Sequence, residues 1–472
     1  MSRHTNAMLC GVAAMACLSH TGARAEDSGT DARLRELSQK IEQMRADYER
    51  QIDELRQQQA KLGAEQAARP AAAPPSPDVV VKGDLPGSFR IPGTNTSLKI
   101  GGYARLDVVK DFNGGESGAI GLPQTTPFGG SAAATRKGYF NENARQSRFY
   151  IRTLTQTDYG PVTAYLEGDF LGAGGSEGIT NSSALRMRHA FVEAGPFLAG
   201  QAWTNLVDLA SLPETLDFYG GNGPLQGVRA GQLRYTAKWA GGSQQFSIAA
   251  ENPEADIFGT VTTVMSAASS PTNTQTLDTA PDITAKYVLS GGWGRVTLGG
   301  LARHMTFNNN GGAALNGFTG ADSVNTFAVV SQGKINTFGA DSIQYTVASG
   351  DGVARYILGT VNNSSAAIVD NQLKGIHERA LSVSYTRAWT PTWRSNLIWG
   401  QVDAKLPHPA VPASNPSRVS AVYANLIWAP IPLSLIGLEY EHTDVRNDTA
   451  ATAALSNRGS NNRLQASFQY GF

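Results

Sequence analysis

The last ten residues of the chain alternate strictly between two kinds of side chain. In "RLQASFQYGF" (463–472), apolar and aromatic residues occupy one side, and polar residues or glycine occupy the other. A period of two describes a β-strand whose two faces meet different surroundings. Chain termini are usually frayed and polar, yet here aromatic residues continue to Phe472. The segment is therefore either a core strand of a soluble sandwich or a strand with lipid on one face and water on the other.

The same alternation recurs from residue 97 onward. The stretches "SLKIGGYARLDVV" (97–109), "GQLRYTAKW" (231–239) and "DITAKYVL" (282–289) each have one apolar face and one polar face. An antiparallel sheet of a soluble protein can show this pattern as well. The connections between the strands must therefore decide between the two interpretations.

Short and long connections follow one another regularly along the chain. Short turns are predicted at 158–161, 194–197, 240–244, 291–294, 331–334, 390–392 and 429–432. Long loops are predicted at about 112–144, 171–184, 207–226, 259–280, 308–321, 349–376, 405–416 and 447–459. These seven turns and eight loops join sixteen strands, and the even number brings both ends of the β region to the short-turn side. That layout is typical of an outer-membrane barrel with short periplasmic turns and long external loops.

Aromatic residues near the short turns agree with this interpretation. They are Tyr159, Phe197, Trp239, Trp293, Trp389, Trp393 and Trp428. Such positions suit the aromatic girdle at a membrane surface. No run of about 20 apolar residues follows the start of the chain, which argues against transmembrane helices. The 39 basic and 39 acidic residues balance, so a nucleic-acid partner is not expected.

The N-terminus has the features of an export signal. Ala7–Leu18 is apolar, and Ala23–Ala25 forms an A-x-A cleavage site, so residues 1–25 are predicted to be a signal peptide. A short buried helix and a lipoprotein anchored at Cys17 are the alternatives. Cleavage after Ala25 would remove both cysteines of the chain, Cys10 and Cys17, and leave no disulfide chemistry.

Residues 26–66 are predicted to form a coiled coil in the periplasm. The a positions of its heptads are Leu34, Ile41, Tyr48, Leu55 and Leu62, and Leu37 and Met44 occupy d positions. Such a narrow apolar stripe is typical of self-association. A single amphipathic helix packed on the body is the alternative. A Pro/Ala-rich linker is assigned to 67–96 because "RPAAAPPSPD" (69–78) favours extended chain, and the barrel domain is assigned to 97–472. The predicted fold is thus all-β, a 16-stranded antiparallel transmembrane β-barrel preceded by an N-terminal α-helical coiled coil.

Several stretches in the β region are characteristic when taken in order. They are "SLKIGGYARLD", "LPETLDFYG", "DITAKYVLSGGWGRVTLGGL", "SGDGVARYI", "WTPTWRSN" and "ANLIWAPIPLSLIGLEY". Together they resemble one known family, the DcaP-like trimeric outer-membrane porins. The resemblance covers the barrel from residue 97 to the end. It implies a homotrimeric channel in the outer membrane for small anionic, especially dicarboxylate, solutes. The aromatic end at Phe472 also resembles the signal read by the outer-membrane assembly machinery.

The third long loop, 205–226, is predicted to be a constriction loop, since general porins resemble one another in folding this loop into the lumen. Its Asp208, Glu214 and Asp217 would then face basic residues on the wall and create a transverse field. An external loop exposed to the medium is the alternative.

Inward-facing arginines follow from the assigned strand faces. They are Arg105, Arg148, Arg152, Arg186, Arg188, Arg234 and Arg303. A guanidinium group can bind both oxygens of a carboxylate, so these residues are predicted to line the path of an anionic solute. The alternative is that most of them pair structurally with inward acids such as Asp107, Glu167 and Asp169.

The expected function is passive diffusion of small hydrophilic solutes, with a sugar-type or general porin or a structural anchor as alternatives. No enzyme, cofactor or metal site is predicted. "GGSEG" (174–178) matches a nucleophile motif but has no helix after it. In "EYEH" (439–442), a strand would point the two glutamates to one face and His442 to the other.

Overall fold

The computed structural model describes residues 27–68, 80–113, 120–172, 178, 180–225, 228–259, 276–312, 314–359, 364–412, 415–448 and 455–472. The predicted signal peptide, and residues 69–79 of the predicted linker, lie outside the described residues. The chain divides into two compact units, Met1–Ser76 and Pro77–Phe472.

The first unit contains one long helix, α1, Asp27–Ala68, of 42 residues. At about 1.5 Å per residue it is roughly 63 Å long. The ion pairs Arg45–Glu49 and Arg50–Asp47 join neighbouring turns and support the helix. The apolar side chains of the heptad stripe that the structure describes, Leu37, Ile41, Met44, Tyr48 and Leu55, are exposed. None of the described helices is long and apolar enough to cross a membrane.

The second unit is built of strands. They are β1 Val81–Lys82, β2 Phe89–Arg90, β3 Thr96–Asp111, β4 Phe140–Asn143, β5 Arg148–Thr157, β6 Gly160–Gly172, β7 Ala184–Ala194, β8 Phe197–Trp203, β9 Arg229–Trp239, β10 Gln244–Glu251, β11 Asp282–Gly291, β12 Gly294–Asn308, β13 Ala321–Asn336, β14 Ser342–Asp351, β15 Ala366–Val369, β16 Gln372–Gly375, β17 His377–Ala388, β18 Trp393–Lys405, β19 Arg418–Trp428, β20 Ser434–Arg446 and β21 Arg458–Gly471. Short 3-10 helices lie at Pro123–Thr125, Ala133–Thr135, Leu209–Ser211, Ala240–Gly242 and Ala354–Tyr356.

The strands form one closed antiparallel barrel. The last strand, β21, pairs with the first wall strand, β3, and residues Gly102 and Phe472 exchange two backbone hydrogen bonds of 3.1 and 3.0 Å. The strands β4 and β5 both pair with β3 and together make one wall strand. The wall therefore has sixteen strands, as the alternation of turns and loops predicts.

Two small hairpins lie beside the sixteen wall strands. In the hairpin β1–β2, strand β2 pairs with the N-terminal end of β3, where Phe89 lies opposite Leu98. Residues 80–96 of the predicted linker therefore include paired strands. The hairpin β15–β16 belongs to the loop between β14 and β17, and Ala366, Ala367 and Ile368 in it are buried.

The two faces of the wall have opposite character. On β21, Phe468, Tyr470 and Phe472 are exposed on the outside, whereas Gln465 and Ser467 are buried inside. All seven aromatic residues predicted near the short turns are exposed. An apolar outside around a polar inside is the arrangement expected of a barrel surrounded by lipid.

One predicted turn is wrong. The segment 331–334 ("SQGK") lies inside β13, and the turn falls at residues 337–341. At Gly333 the absence of a side chain leaves space for the ring of Tyr345 on β14. A Cβ at this position would lie 2.3 Å from the Tyr345 side chain. The glycine therefore serves cross-strand packing, while Gly339, with φ of +60°, makes the turn.

The true turn contains Asp341, which supports a prediction about acid stability. Its carboxylate accepts hydrogen bonds from the Tyr385 hydroxyl (2.6 Å), the Ala388 amide (2.9 Å) and the Arg387 guanidinium (2.6 Å), and these bonds lower the pKa of Asp341 to about 2. Because the pKa falls on folding, the stabilisation is present above the unfolded pKa of about 3.9 and is lost as pH falls towards 2. We expect Asp341→Asn to flatten the decline of thermal stability between these pH values. An unchanged pH profile in calorimetry would contradict this assignment.

Candidate solute channel

The third long loop lies inside the barrel. We name residues 204–225 the inner loop. The carbonyl of Leu206 accepts a hydrogen bond from Gln332 on β13 (2.7 Å), and the carbonyl of Val207 accepts one from Lys286 on β11 (2.7 Å). Further along, the Asn222 amide donates to the carbonyl of Val419 on β19 (2.8 Å). The inner loop therefore crosses the interior and contacts distant parts of the wall.

Glycines on the wall make room for the inner loop. A Cβ at Gly400 on β18 would lie 1.7 Å from the carbonyl oxygen of Asn222, and one at Gly437 on β20 would lie 2.8 Å from the Leu216 side chain. Backbone and side chain of the loop thus occupy space that any other wall residue would fill. An inward-facing glycine in the middle of a wall strand is a sequence signal that could have located this contact.

All three predicted loop acids lie opposite basic wall residues. Glu214 forms a bidentate ion pair with Arg394 on β18, and both N–O distances are 2.6 Å. Asp208 lies 2.8 Å from Arg295 on β12.

The third acid, Asp217, lies 3.8 Å from Arg463 on β21, and its carboxylate also accepts hydrogen bonds from the amides of Gly121 and Tyr219 (both 2.8 Å). The sequence analysis did not select the wall arginines Arg295, Arg394 and Arg463. Each loop acid is thus paired, which fastens the loop to the wall.

Three of the predicted lumen arginines are buried in structural ion pairs. Their side chains are 8% exposed at Arg105, 3% at Arg188 and 0% at Arg303. Arg105 pairs with Asp107 at 2.9 Å, and Arg303 pairs with two acids, Asp256 at 2.7 Å and Asp282 at 3.1 Å. For these residues the structure shows the alternative that the sequence left open, pairing within the wall and its loops.

Arg148 and Arg186 are partly exposed and belong to a larger group. We name Arg148, Arg186, Arg188 and Arg229 the arginine cluster. Its two carboxylates are Glu167 and Asp169, so two positive charges remain in excess.

The local chain path brings the members of the arginine cluster together. The register of β7 against β6 shifts between Met187 and His189, and Arg188 occupies the irregular position between them. The inner loop adds Phe218, whose ring centre lies 5.0 Å from the Arg186 guanidinium and 5.5 Å from that of Arg188. Arg229 was missed by the sequence analysis; its guanidinium lies 3.5 Å from the Trp203 ring centre.

Arg234 lines a chamber of about 770 Å³ between the inner loop and strands β7 to β12. The charged residues of this chamber are Arg234, Lys238, Lys286, Arg295, Glu193 and Asp208. Lys286 and Arg295 already contact the inner loop. Arg234 and Lys238 form no ion pair or side-chain hydrogen bond with any residue that the structure describes. Arg152 is exposed and has no such partner among the described residues either.

Aromatic rings form a row on the inner face beside the arginine cluster. The ring centres of Tyr150 and Tyr165 are 5.7 Å apart, and those of Tyr165 and Phe191 are 5.5 Å apart. The Tyr165 hydroxyl donates to Glu167 at 2.6 Å, which connects the row to the cluster. The interior therefore offers cations and flat apolar surfaces side by side.

A closed sixteen-stranded barrel with an apolar outside, a polar inside and a loop folded into the interior defines the class of outer-membrane channels. Within that class the chain belongs to the porin subfamily, whose family pattern matches residues 86–415. Members of this class are channels and not enzymes. A search of curated proteins finds no match.

Solved structures agree on the fold. The outer membrane channel DcaP of Acinetobacter baumannii is similar at a TM-score of 0.66 and 20% sequence identity, covering 80% of this chain and 98% of that one. OmpF of Salmonella typhi, solved in a complex with daunomycin, is similar at a TM-score of 0.50 and 12% identity, again covering 80% of this chain and 98% of the other. The anion-selective porin from Comamonas acidovorans is more distant, at a TM-score of 0.47 and 12% identity over 80% of this chain and all of that one.

Proposed function

We propose that the protein is an outer-membrane porin for passive diffusion of small anionic solutes, including dicarboxylates, with its long loops on the external side. The observation that carries this proposal is the charge of the chamber. Four cationic side chains line it against two carboxylates, and Arg234 and Lys238 form no ion pair or side-chain hydrogen bond among the described residues. The arginine cluster adds a second region with an excess of positive charge.

A dicarboxylate suits such a chamber for physical reasons. At an effective dielectric constant of about 20, two unit charges 4 Å apart attract by roughly 4 kcal/mol, and the attraction falls to about 1 kcal/mol in bulk water. Two separate cations can each hold one carboxylate, while neither site alone is strong enough to trap the solute. Conduction needs this balance between entry and release.

The test is the selectivity of single channels in planar bilayers under a salt gradient. We expect a reversal potential that indicates anion preference, and reversible block of the current by millimolar dicarboxylate. The double variant Arg234→Ala/Lys238→Ala should weaken both effects, on the order of threefold for the block, because the unpaired cations are gone. Lys110→Ala, which removes a cation from the outer face, is the matched control and should change neither. A cation preference without dicarboxylate block would contradict the proposal.

The aromatic row supports a second candidate, a channel for sugars. Rings such as Tyr150, Tyr165 and Phe191 offer flat surfaces to the apolar faces of a sugar ring. Block by neutral oligosaccharides that is lost in Tyr165→Ala, with no block by dicarboxylates, would favour this candidate.

We further propose that the protein is a homotrimer whose α1 helices form a parallel three-stranded coiled coil in the periplasm, after residues 1–25 have directed export. The exposed apolar side chains of α1 support this, since Leu37, Ile41, Met44 and Leu55 are otherwise left in water. The predicted Pro/Ala-rich linker, 67–96, would connect the coiled coil to the barrel.

The coiled coil can be tested with a peptide of residues 26–66. We expect it to be helical and trimeric, with a melting temperature that rises with concentration. Ile41→Asp/Leu55→Asp should leave it monomeric and unfolded, because charge would enter the apolar seam, whereas Glu42→Gln/Glu54→Gln is the control. A wild-type peptide that stays monomeric and unstructured at high concentration would refute the coiled coil.

A further inference from the structure

A row of arginines crosses five neighbouring strands on the outer face of the barrel. In the strand register, Arg379 on β17 lies opposite Asp403 on β18, and Asp403 lies opposite Arg418 on β19. The row continues from Arg418 to Arg446 on β20 and from Arg446 to Arg458 on β21. All four arginines are exposed, and they share the alternation of the outward apolar residues rather than of the buried inward ones. The row lies at the long-loop end of these strands.

Such a row is costly unless an anion neutralises it, because like charges directly opposite each other on paired strands repel. Arg418 pairs with Asp403 at 2.5 Å, and Arg446 pairs with Asp444 at 2.6 Å. Arg379, Arg458 and the neighbouring Lys405 form no side-chain ion pair or hydrogen bond within the described part of the chain.

The row borders a cavity large enough for a phosphate group. The cavity measures about 380 Å³ and is lined by all four arginines, Lys405, Asp403 and Asp448. With Asp444 counted as well, five cations stand against three carboxylates, so two positive charges are in excess. The asparagines Asn447 and Asn457 add amide groups to the lining.

The height of the row on the barrel indicates what lies next to it. Trp393 and Asp403 are ten residues apart on β18, about 33 Å along the strand, and a strand tilt of roughly 40° reduces this to about 25 Å along the barrel axis. That distance equals the height of the apolar band of outer-membrane barrels. Trp393 stacks on Trp428 at the short-turn end, and Leu397, Leu426 and Leu438 are exposed in between. The row therefore lies at the headgroup level of the opposite leaflet.

We propose that this rim site, formed by Arg379, Lys405, Arg418, Arg446 and Arg458, binds the phosphate groups of a phosphorylated glycolipid in the outer leaflet. Guanidinium groups match phosphate oxygens in pairs, and the apolar surface below the row would hold the acyl chains. A second copy of this chain is a poorer occupant, because the same strands carry the exposed tryptophans of a lipid-facing girdle. The site rests on the proposed orientation in the membrane and is independent of which solute passes through the channel.

The test compares the full protein with Arg379→Gln/Arg458→Gln, which removes the two arginines without a protein partner among the described residues. The probe is a bis-phosphorylated disaccharide lipid, added to the protein in neutral detergent and followed by native mass spectrometry. We expect wild type to retain it, the variant to bind on the order of tenfold less, and the dephosphorylated lipid to bind weakly to both. The matched control, Arg152→Gln/Lys99→Gln, removes two cations of the wall away from this rim and should bind as wild type does.

Equal binding of the lipid by variant and wild type would overturn the rim site. Retention of the dephosphorylated lipid as strongly as the phosphorylated lipid would do the same. So would loss of subunit association in the variant without lipid, because the row would then be an interface between copies. Displacement of the lipid by low millimolar inorganic phosphate would assign the site to free phosphate instead. Arg379→Gln/Lys405→Gln repeats the test should the first variant fail to fold. Ion selectivity of the variant should remain that of wild type, so failure here leaves the solute channel untouched.

Discussion

Replacing residues 209–221 of the inner loop by a short Gly-Ser linker, together with Glu439→Gln, should raise single-channel conductance roughly twofold or more. The loop fills part of the interior cross-section, and its removal leaves a wider aqueous path. Glu439 changes as well, because its carboxylate accepts hydrogen bonds from the amides of Leu216 (3.0 Å) and Asp217 (2.8 Å), and without them it would add a negative charge to the widened path.

The control for this experiment is a shortened loop between β12 and β13, within residues 309–320, which leaves the inner loop intact. Its conductance should match that of wild type. Dicarboxylate block should weaken in the inner-loop variant, because Leu209 and Ala210 no longer line the chamber and the path beside it widens. Unchanged conductance in that variant would mean that the inner loop does not limit the path.

Phe472→Asp should reduce the amount of folded protein at the cell surface on the order of tenfold. Phe472 ends the lipid-facing row of the closing strand, with 66% of its surface exposed, and its backbone forms the last two hydrogen bonds to Gly102. A carboxylate at that position would be placed against lipid. Surface labelling and the heat-resistant mobility of the folded barrel on gels measure the effect.

Two controls separate side-chain character from position in the Phe472 experiment. Phe472→Trp keeps an aromatic end and should assemble normally. Gln469→Asp places the same charge on the inward face of the same strand, near Arg105, and should be tolerated. Wild-type surface levels of Phe472→Asp would contradict a lipid-facing role for the terminal residue.

The fold was predictable because the alternation of apolar and polar residues within each strand shows which face meets lipid and which faces the interior. Alternation in β21 and β11 indicated which face meets lipid, and loop composition indicated which connections are long. The turn predicted at 331–334 was wrong for a local reason. In the sequence, a glycine that makes room for Tyr345 cannot be distinguished from a glycine that makes a turn.

The state of each arginine was less predictable, because it depends on residues that are distant in sequence. Alternation places Arg303 and Arg234 on the same kind of face, yet Arg303 contacts Asp256 in the loop between β10 and β11, whereas Arg234 borders an open chamber. Loop docking and cross-strand register make that difference. Arg229 was not predicted because it lies at the very start of β9, where the chain rejoins the wall after the inner loop.

The carbonyl of Leu216 accepts hydrogen bonds from Arg105 on the first wall strand and from Gln465 on the last. These donors lie 111 and 249 residues from the acceptor, so this joint across the seam can form only after both ends of the chain have met. Assembly intermediates that have not yet closed would lack this joint, although the contacts of the inner loop with β11 and β13 do not depend on it. The segment around Leu216 therefore reaches its final position only when the barrel is closed.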